Sequence, residues 1–244
     1  MSFGLFTAIP LPLHIWDETC ANFMLVCFPF VGAAIGVMWW GLAKLVISGG
    51  IHIMLASAIT AIFPFLAAGF LHLDGFMDTS DAVLSRRPLE EKRRILKDPH
   101  TGSFAVIMLA VLFVLQFGLA FTIVDKGRRL VLLITIPVIS RCCAALSILC
   151  LNTMPQSGYA NMFRQNTGIQ HKIAVIITAI PAIALSCYFK RIIGLITAAS
   201  VIAGFIAALV WAYKNLRGVS GDTAGFALVI GELCGLIAMA VVRY

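Results

Sequence analysis

Several stretches of this chain run for 17 or more residues without an Asp, Glu, Lys or Arg, among them 103–124 and 192–213. About 20 apolar residues cross the hydrocarbon layer of a bilayer as a helix, so a chain made largely of such runs has little choice of architecture. It reads as an all-α, polytopic integral membrane helical bundle. Composition agrees, with 61% of residues hydrophobic and 12% charged, against roughly 45–50% and about 25% in an ordinary soluble domain. The pattern predicts about seven transmembrane helices, near 23–47, 51–72, 103–124, 130–151, 173–189, 192–213 and 224–242, in a single membrane-embedded domain covering 1–244. Gly32 and Gly36 give the first of these a small-residue face suited to close helix packing. Residues 1–22 contain no Lys or Arg and are interrupted by Pro10, Pro12, Asp17 and Glu18, which reads as an interfacial lead-in rather than a signal peptide.

The net charge of +7 does not indicate nucleic acid, because the basic residues sit in short loops between spans. The lipid bilayer is the partner this distribution fits. Cys20, Cys27, Cys142, Cys143, Cys150, Cys187 and Cys234 form no CxxC pair and lie mostly in apolar runs, which argues against a zinc site or a disulfide framework.

Charge concentrates in one place. Six of the eleven acidic residues fall between Asp74 and Asp98. Asp74, Asp78 and Asp81 are spaced four and three apart, so a helix continuing out of the preceding apolar run puts all three carboxylates on one face. Their repulsion costs roughly 0.2–0.5 kcal/mol per i,i+4 pair, and a divalent cation would relieve it. Magnesium suits such a site, since it takes oxygen ligands from one or two carboxylates and completes its shell with water and substrate phosphates. The competing reading is a solvated helix end whose acids pair with Arg86, Arg87, Lys92, Arg93, Arg94 and Lys97.

Two more charges stand inside predicted spans, Arg141 and Glu232. An ion at that depth costs ~2.5–3.5 kcal/mol on insertion scales, so each needs a partner. Arg141 meets either an anionic substrate or another helix, and Glu232 is the natural candidate for the latter. The long segment 152–171 is the kind of loop that is more often functional than merely connecting, though its composition names no chemistry. With seven spans, the charged loop 73–102, the segment 152–171 and the Gly-rich loop 214–223 share one side of the bilayer. Lys and Arg number ten on that side and seven on the other, which favours cytoplasmic site loops.

The Gly-rich loop carries Arg217, Gly218, Ser220, Gly221 and Asp222 directly before the last span. Backbone amides at a helix N-terminus approached through glycines bind anions, and Asp222 would either cap the helix or ligate a metal. Gly102 and Ser103 open the third span in the same way, so two helix starts facing an acidic cluster suggest a diphosphate substrate. A lone Gly-rich turn or a single His72 at a helix end carries less, because each is commonly structural.

These segments resemble the cobalamin synthase (adenosylcobinamide-GDP ribazoletransferase) family. The resemblance covers nearly the whole chain: GFLHLDGFMDTSDAV at 69–83, Lys92 to Phe104, and GVSGDTAG at 218–225 followed by Glu232. Ser220 stands where threonine is usual, and Ala82-Val83 and Pro99-His100-Thr101 also depart from the pattern. The resemblance implies transfer of the adenosylcobinamide phosphate moiety of adenosylcobinamide-GDP to α-ribazole or its 5'-phosphate, with release of GMP and a requirement for Mg2+. It implies a bacterial or archaeal cell membrane. Asp74, Asp78 and Asp81, with Asp222, would hold the metal, while Lys97 and one or more of Arg93 and Arg94 would bind nonbridging oxygens alongside amides of the two helix starts. His72 or an aspartate would be the base. Rival readings are another magnesium-dependent membrane alcohol phosphotransferase or prenyltransferase, and a transporter using Arg141 and Glu232. The sequence leaves a homo-oligomer open.

Overall fold

The computed structural model describes residues 1–10, 17–127, 129–155 and 157–242. Pro12 of the lead-in, and Arg128 and Arg243 of the basic residues counted above, lie outside them. Among the described residues the chain is helical, apart from one isolated parallel bridge between Thr153 and Val219. A short helix α1 (Ser2–Phe6) and a 3-10 turn (Glu18–Phe23) precede α2 (Met24–Ser48), α3 (Ile53–Ala67), α4 (Leu71–Leu84) and α5 (Leu89–Ile95). Then follow α6 (Ser103–Lys126), α7 (Leu132–Cys150), α8 (Gly158–Arg164), α9 (Ile169–Leu216) and α10 (Gly221–Val241).

Among the described residues five helices are each long and apolar enough to cross a bilayer, or six if α3 and α4 form one bent span. The difference from seven lies at two breaks. The first falls at Lys190 and Arg191, whose backbones are non-helical within the 48 residues of α9. Unbroken, that helix would be about 72 Å long. Instead Gly194 packs against the carbonyl of Ser186, eight residues earlier, so the chain folds back there, between the two stretches expected as separate spans.

The second break separates α3 from α4, where a single span over 51–72 was expected. Gly69 takes a left-handed φ of +62°, its N–H bonds to Leu66 O, and the Phe70 N–H reaches Phe65 O. That pair of bonds is a Schellman motif, which ends a helix by satisfying its last carbonyls. Phe70 is also left-handed, and the chain leaves at 89° to start α4. The three aspartates therefore ride on their own helix rather than on an extension of the span, and most of what was expected as a loop, 73–102, is the two helices α4 and α5.

The interior belongs to α7 and α10, whose apolar windows are 83% and 78% buried, against 22% for α6. The outward side chains of α6, such as Val106, Ile107 and Val114, form an apolar face, as a lipid-facing helix requires. Against α7 the small-residue face of α2 does what its sequence suggests. A Cβ on Gly32 or Gly36 would strike the carbonyls of Pro137 and Ile134, so the two backbones touch.

Candidate active site

The acidic cluster is assembled by one close approach. Gly75 on α4 lies against α10 so tightly that a Cβ there would sit 2.8 Å from the Asp222 Cα. That contact sets Asp78 beside the first turn of α10. Its half-buried carboxyl has Asp74, Asp222 and Asp81 as charged neighbours, so acids from two separate motifs meet in space. The Asp81 carboxylate packs against Gly102 at the N-terminus of α6, where a negative charge meets the positive end of the helix dipole. Gly102 and Ser103 are thus brought to the acids, and this helix start is covered by Asp81.

No three His, Cys, Asp or Glu side chains among the described residues form a gathered ligand set. The four aspartates are a concentration of oxygen donors that a hard cation would have to complete with water and substrate, which is how magnesium is commonly held. The donor chemistry fits that ion.

At the α10 N-terminus the capping role left open for Asp222 falls to another residue. Ser220, not Asp222, is the cap: its Oγ accepts from the Thr223 N–H at 3.2 Å, and its own N–H donates to Thr223 Oγ1 at 2.8 Å. Asp222 stays in the first turn, receiving the Ser220 hydroxyl at 3.3 Å. Beside it runs a cavity of about 540 Å³ including its mouth, lined by Arg93, Lys97, Ser157, Tyr159, Ser220 and Asp222 among others. Lys97 is close enough to attract the Asp222 carboxylate. Gly218 packs on Met154, and Arg217 closes α9 in a left-handed conformation with its side chain outside this lining.

The two arginines of α5 diverge. Arg93 donates through Nε to Leu216 O at 3.1 Å and through Nη2 to Arg217 O at 3.4 Å, tying α5 to the end of α9. Arg94 turns outward and grips Glu91 with both Nε and Nη2, at 3.0 and 2.6 Å. Next to it the His100 backbone N–H and ring hold the Asp98 carboxyl below its usual range. Arg94, Lys97, Asp98 and His100 line an open outer depression.

His72 is 8% exposed and sits deeper, where Gly225 of α10 approaches its backbone. Its ring lies among Phe6 and Phe28, with centroids 6.5 and 5.6 Å away, and its Nε2 has no hydrogen-bond partner. Arg141 and Glu232 meet each other: Nη1 donates to Oε1 at 2.6 Å, and Ser140 Oγ donates to the same oxygen at 2.8 Å. The Pro137 carbonyl takes a further bond from Nη1, and the guanidinium lies 5.7 Å from the Phe28 ring centroid. Arg141 therefore closes on the protein and does not line the cavity beside Asp222.

Segment 152–171 proves to be part of the site. Met154 N donates to Val219 O and Val219 N to Asn152 O, both at 2.9 Å, which pins it to the Gly-rich turn. Ser157 and Tyr159 reach the cavity as a result. Sequence reading missed these two residues, at which only the length of the segment hinted, and Phe6, for which it held no signal.

The cobalamin-5-phosphate synthase family model matches residues 1–240. The chain belongs to that family. An adenosylcobinamide-GDP ribazoletransferase of Clostridium botulinum (strain Alaska E43 / Type E3) is 40% identical over 242 residues, covering 98% of this chain and 94% of the relative. One of Clostridium perfringens (strain SM101 / Type A) is 37% identical over 245 residues, covering 99% and 96%, and one of Geobacillus kaustophilus (strain HTA426) is 29% identical over 237. No solved structure matches. All the segments that meet at the cavity fall within the matched range.

Proposed function

We propose that this membrane protein is an adenosylcobinamide-GDP ribazoletransferase, moving adenosylcobinamide phosphate from adenosylcobinamide-GDP to α-ribazole or its 5'-phosphate and releasing GMP. The observation that carries the reading is the meeting of Asp78 with Asp74, Asp81 and Asp222 beside a cavity that also holds Arg93 and Lys97. Acids and cations together suit a diphosphate, whose displacement needs positioning and charge neutralisation more than covalent chemistry.

An acceptor hydroxyl oxygen bonds to the phosphorus on the cobinamide side, and the bond from that phosphorus to the bridging oxygen breaks, leaving the oxygen on GMP. Lys97 and Arg93 hold nonbridging oxygens, and the amides of the first turn of α10, ordered by the Ser220 cap, face the same anion. Asp222, which borders the cavity, is placed to take the hydroxyl proton. Asp74, Asp78, Asp81 and Asp222 would hold magnesium, which when bound offsets the charge developing on the diphosphate. The Arg141–Glu232 contact supports a structural role for that pair rather than a transport path.

The test is GMP release from adenosylcobinamide-GDP by membranes containing the protein, with and without α-ribazole and magnesium. Release that depends on both is expected. Release without acceptor, or none at all, overturns the reading. We place the site loops in the cytoplasm of a bacterial or archaeal cell. With native cysteines removed, a cysteine at position 87 or 215 is then labelled from the cytoplasmic side and one at 126 from outside; labelling of 87 and 215 from opposite faces overturns that placement.

A further inference from the structure

A second cavity adjoins the polar one and differs from it in chemistry. The two share Tyr159, Gly221 and Asp222. Beyond these residues the second is walled by Phe6, Phe28, Ile148, Phe163 and Leu228. Phe6 lies 4.4 Å from Phe28 and 6.2 Å from Phe163, centroid to centroid, so three aromatic rings pack as one wall. The space is about 730 Å³ including its mouth. Into this wall the sequence sets one polar ring, His72, more than nine-tenths buried and with Nε2 unpartnered. A ligand atom would give this nitrogen the partner it lacks.

We propose that this cavity is the subsite for the base of the acceptor nucleoside, a fused, flat, mostly hydrocarbon benzimidazole, and that His72 Nε2 bonds to the free nitrogen of its ring. The assignment rests on the ribazoletransferase reading above. Of the pieces that reading supplies, guanine would strand several donors and acceptors against aromatic walls, and a corrin is too large. A benzimidazole joined to ribose has one free ring nitrogen, and His72, which borders both this cavity and a smaller one with Arg141 and Glu232, carries one unpartnered ring nitrogen. With the base seated, the ribose lies where the cavities meet, next to Asp222 and within reach of the bound diphosphate. His72 is then a recognition residue and not the base of the reaction.

The experiment uses full-length protein in detergent and two inhibitors of the same shape, benzimidazole and its carbocyclic counterpart indene. In the unaltered protein benzimidazole is expected to compete with α-ribazole and not with adenosylcobinamide-GDP, and to bind at least about tenfold better than indene. In His72→Phe that preference disappears and KM for α-ribazole rises about tenfold, with KM for the donor unchanged. Ala160→Leu, which narrows the apolar cavity from α8, is the second variant. It should raise KM for α-ribazole alone, and it decides the matter if His72→Phe fails to fold. Competition against the donor, a preference unchanged by His72→Phe, or a co-purified acyl chain that α-ribazole does not displace would overturn the subsite. If acceptor-dependent GMP release persists through those results, the subsite alone has failed. If no acceptor supports release in unaltered protein, the functional reading has failed with it.

Discussion

Two regions of the bundle treat charge in opposite ways. At Arg141 and Glu232 two opposite charges are buried together, 2.6 Å apart, with Ser140 and the Pro137 carbonyl adding further bonds while Arg141 Nε stays without a partner. At the meeting of α4 and α10 four like charges converge, and Asp78 has three other aspartates as neighbours. In the first arrangement the protein itself matches charge with charge. In the second, acids gather around Asp78 and the protein's own cation at hand is Lys97 beside Asp222, so a further cation would be favoured there and the arrangement has the form of a binding site. Charge inside an apolar bundle does not by itself mark function; what distinguishes the two regions is how far the protein's own charges balance each other.

The comparison breaks most sharply at the closed pair. Arg141→Met or Glu232→Met alone leaves an uncompensated buried ion and should cost about 3–5 kcal/mol, whereas the double substitution should recover much of that loss. Thermal unfolding in detergent, run as a double-mutant cycle, reads the coupling. The double variant should retain ribazoletransferase turnover. Additive losses would mean that the two residues do not hold each other.

The next effect is expected at the contact that assembles the open cluster. Gly75→Ala places a methyl group 2.8 Å from the Asp222 Cα, which backbone atoms can relieve only by separating α4 from α10, at a cost of about 1–3 kcal/mol. Turnover should fall further than stability, because the acids are pulled apart. Unchanged turnover would show that Asp222 does not work with the aspartates of α4.

Asp78→Asn separates function from stability. Turnover should drop at least about tenfold, equivalent to ~1.4 kcal/mol of barrier, with partial rescue by added magnesium. Stability should hold or rise, since each relieved like-charge pair returns roughly 0.2–0.5 kcal/mol. A variant that melts early yet keeps its turnover would make the cluster structural.

Much of this contrast was legible in the sequence because it follows from local spacing. The four-and-three spacing of the aspartates, the buried charges at 141 and 232, and the Gly32–Gly36 face all follow from helical periodicity. What could not be read depends on backbone geometry. Nothing in the composition of 51–72 announces that Gly69 and Phe70 will both turn left-handed and stop the helix. The place of 152–171 in the site depends on two backbone bonds to Val219, which any residues can make. Ser220 and Asp222 are both good helix caps by type, and only the bonded partners decide between them.

The smallest expected effect distinguishes two adjacent residues that the sequence treats alike. Arg93 and Arg94 were equal candidates for the diphosphate, but Arg93 borders the cavity beside Asp222 and anchors α5 to the end of α9, while Arg94 is spent on exposed Glu91. An exposed pair of that kind contributes about 0–1 kcal/mol, so Arg94→Ala should leave stability within that range and turnover within about twofold. Arg93→Ala should cost more in both, because it removes a cation from the cavity and leaves carbonyls at the end of α9 without their donor. Steady-state kinetics on the two variants, with donor concentration varied, reads the difference. If Arg94→Ala instead raised the donor KM tenfold while Arg93→Ala did not, the diphosphate would have to lie in the outer depression with Lys97 and His100. The counter-charge for the four aspartates would then come from that side.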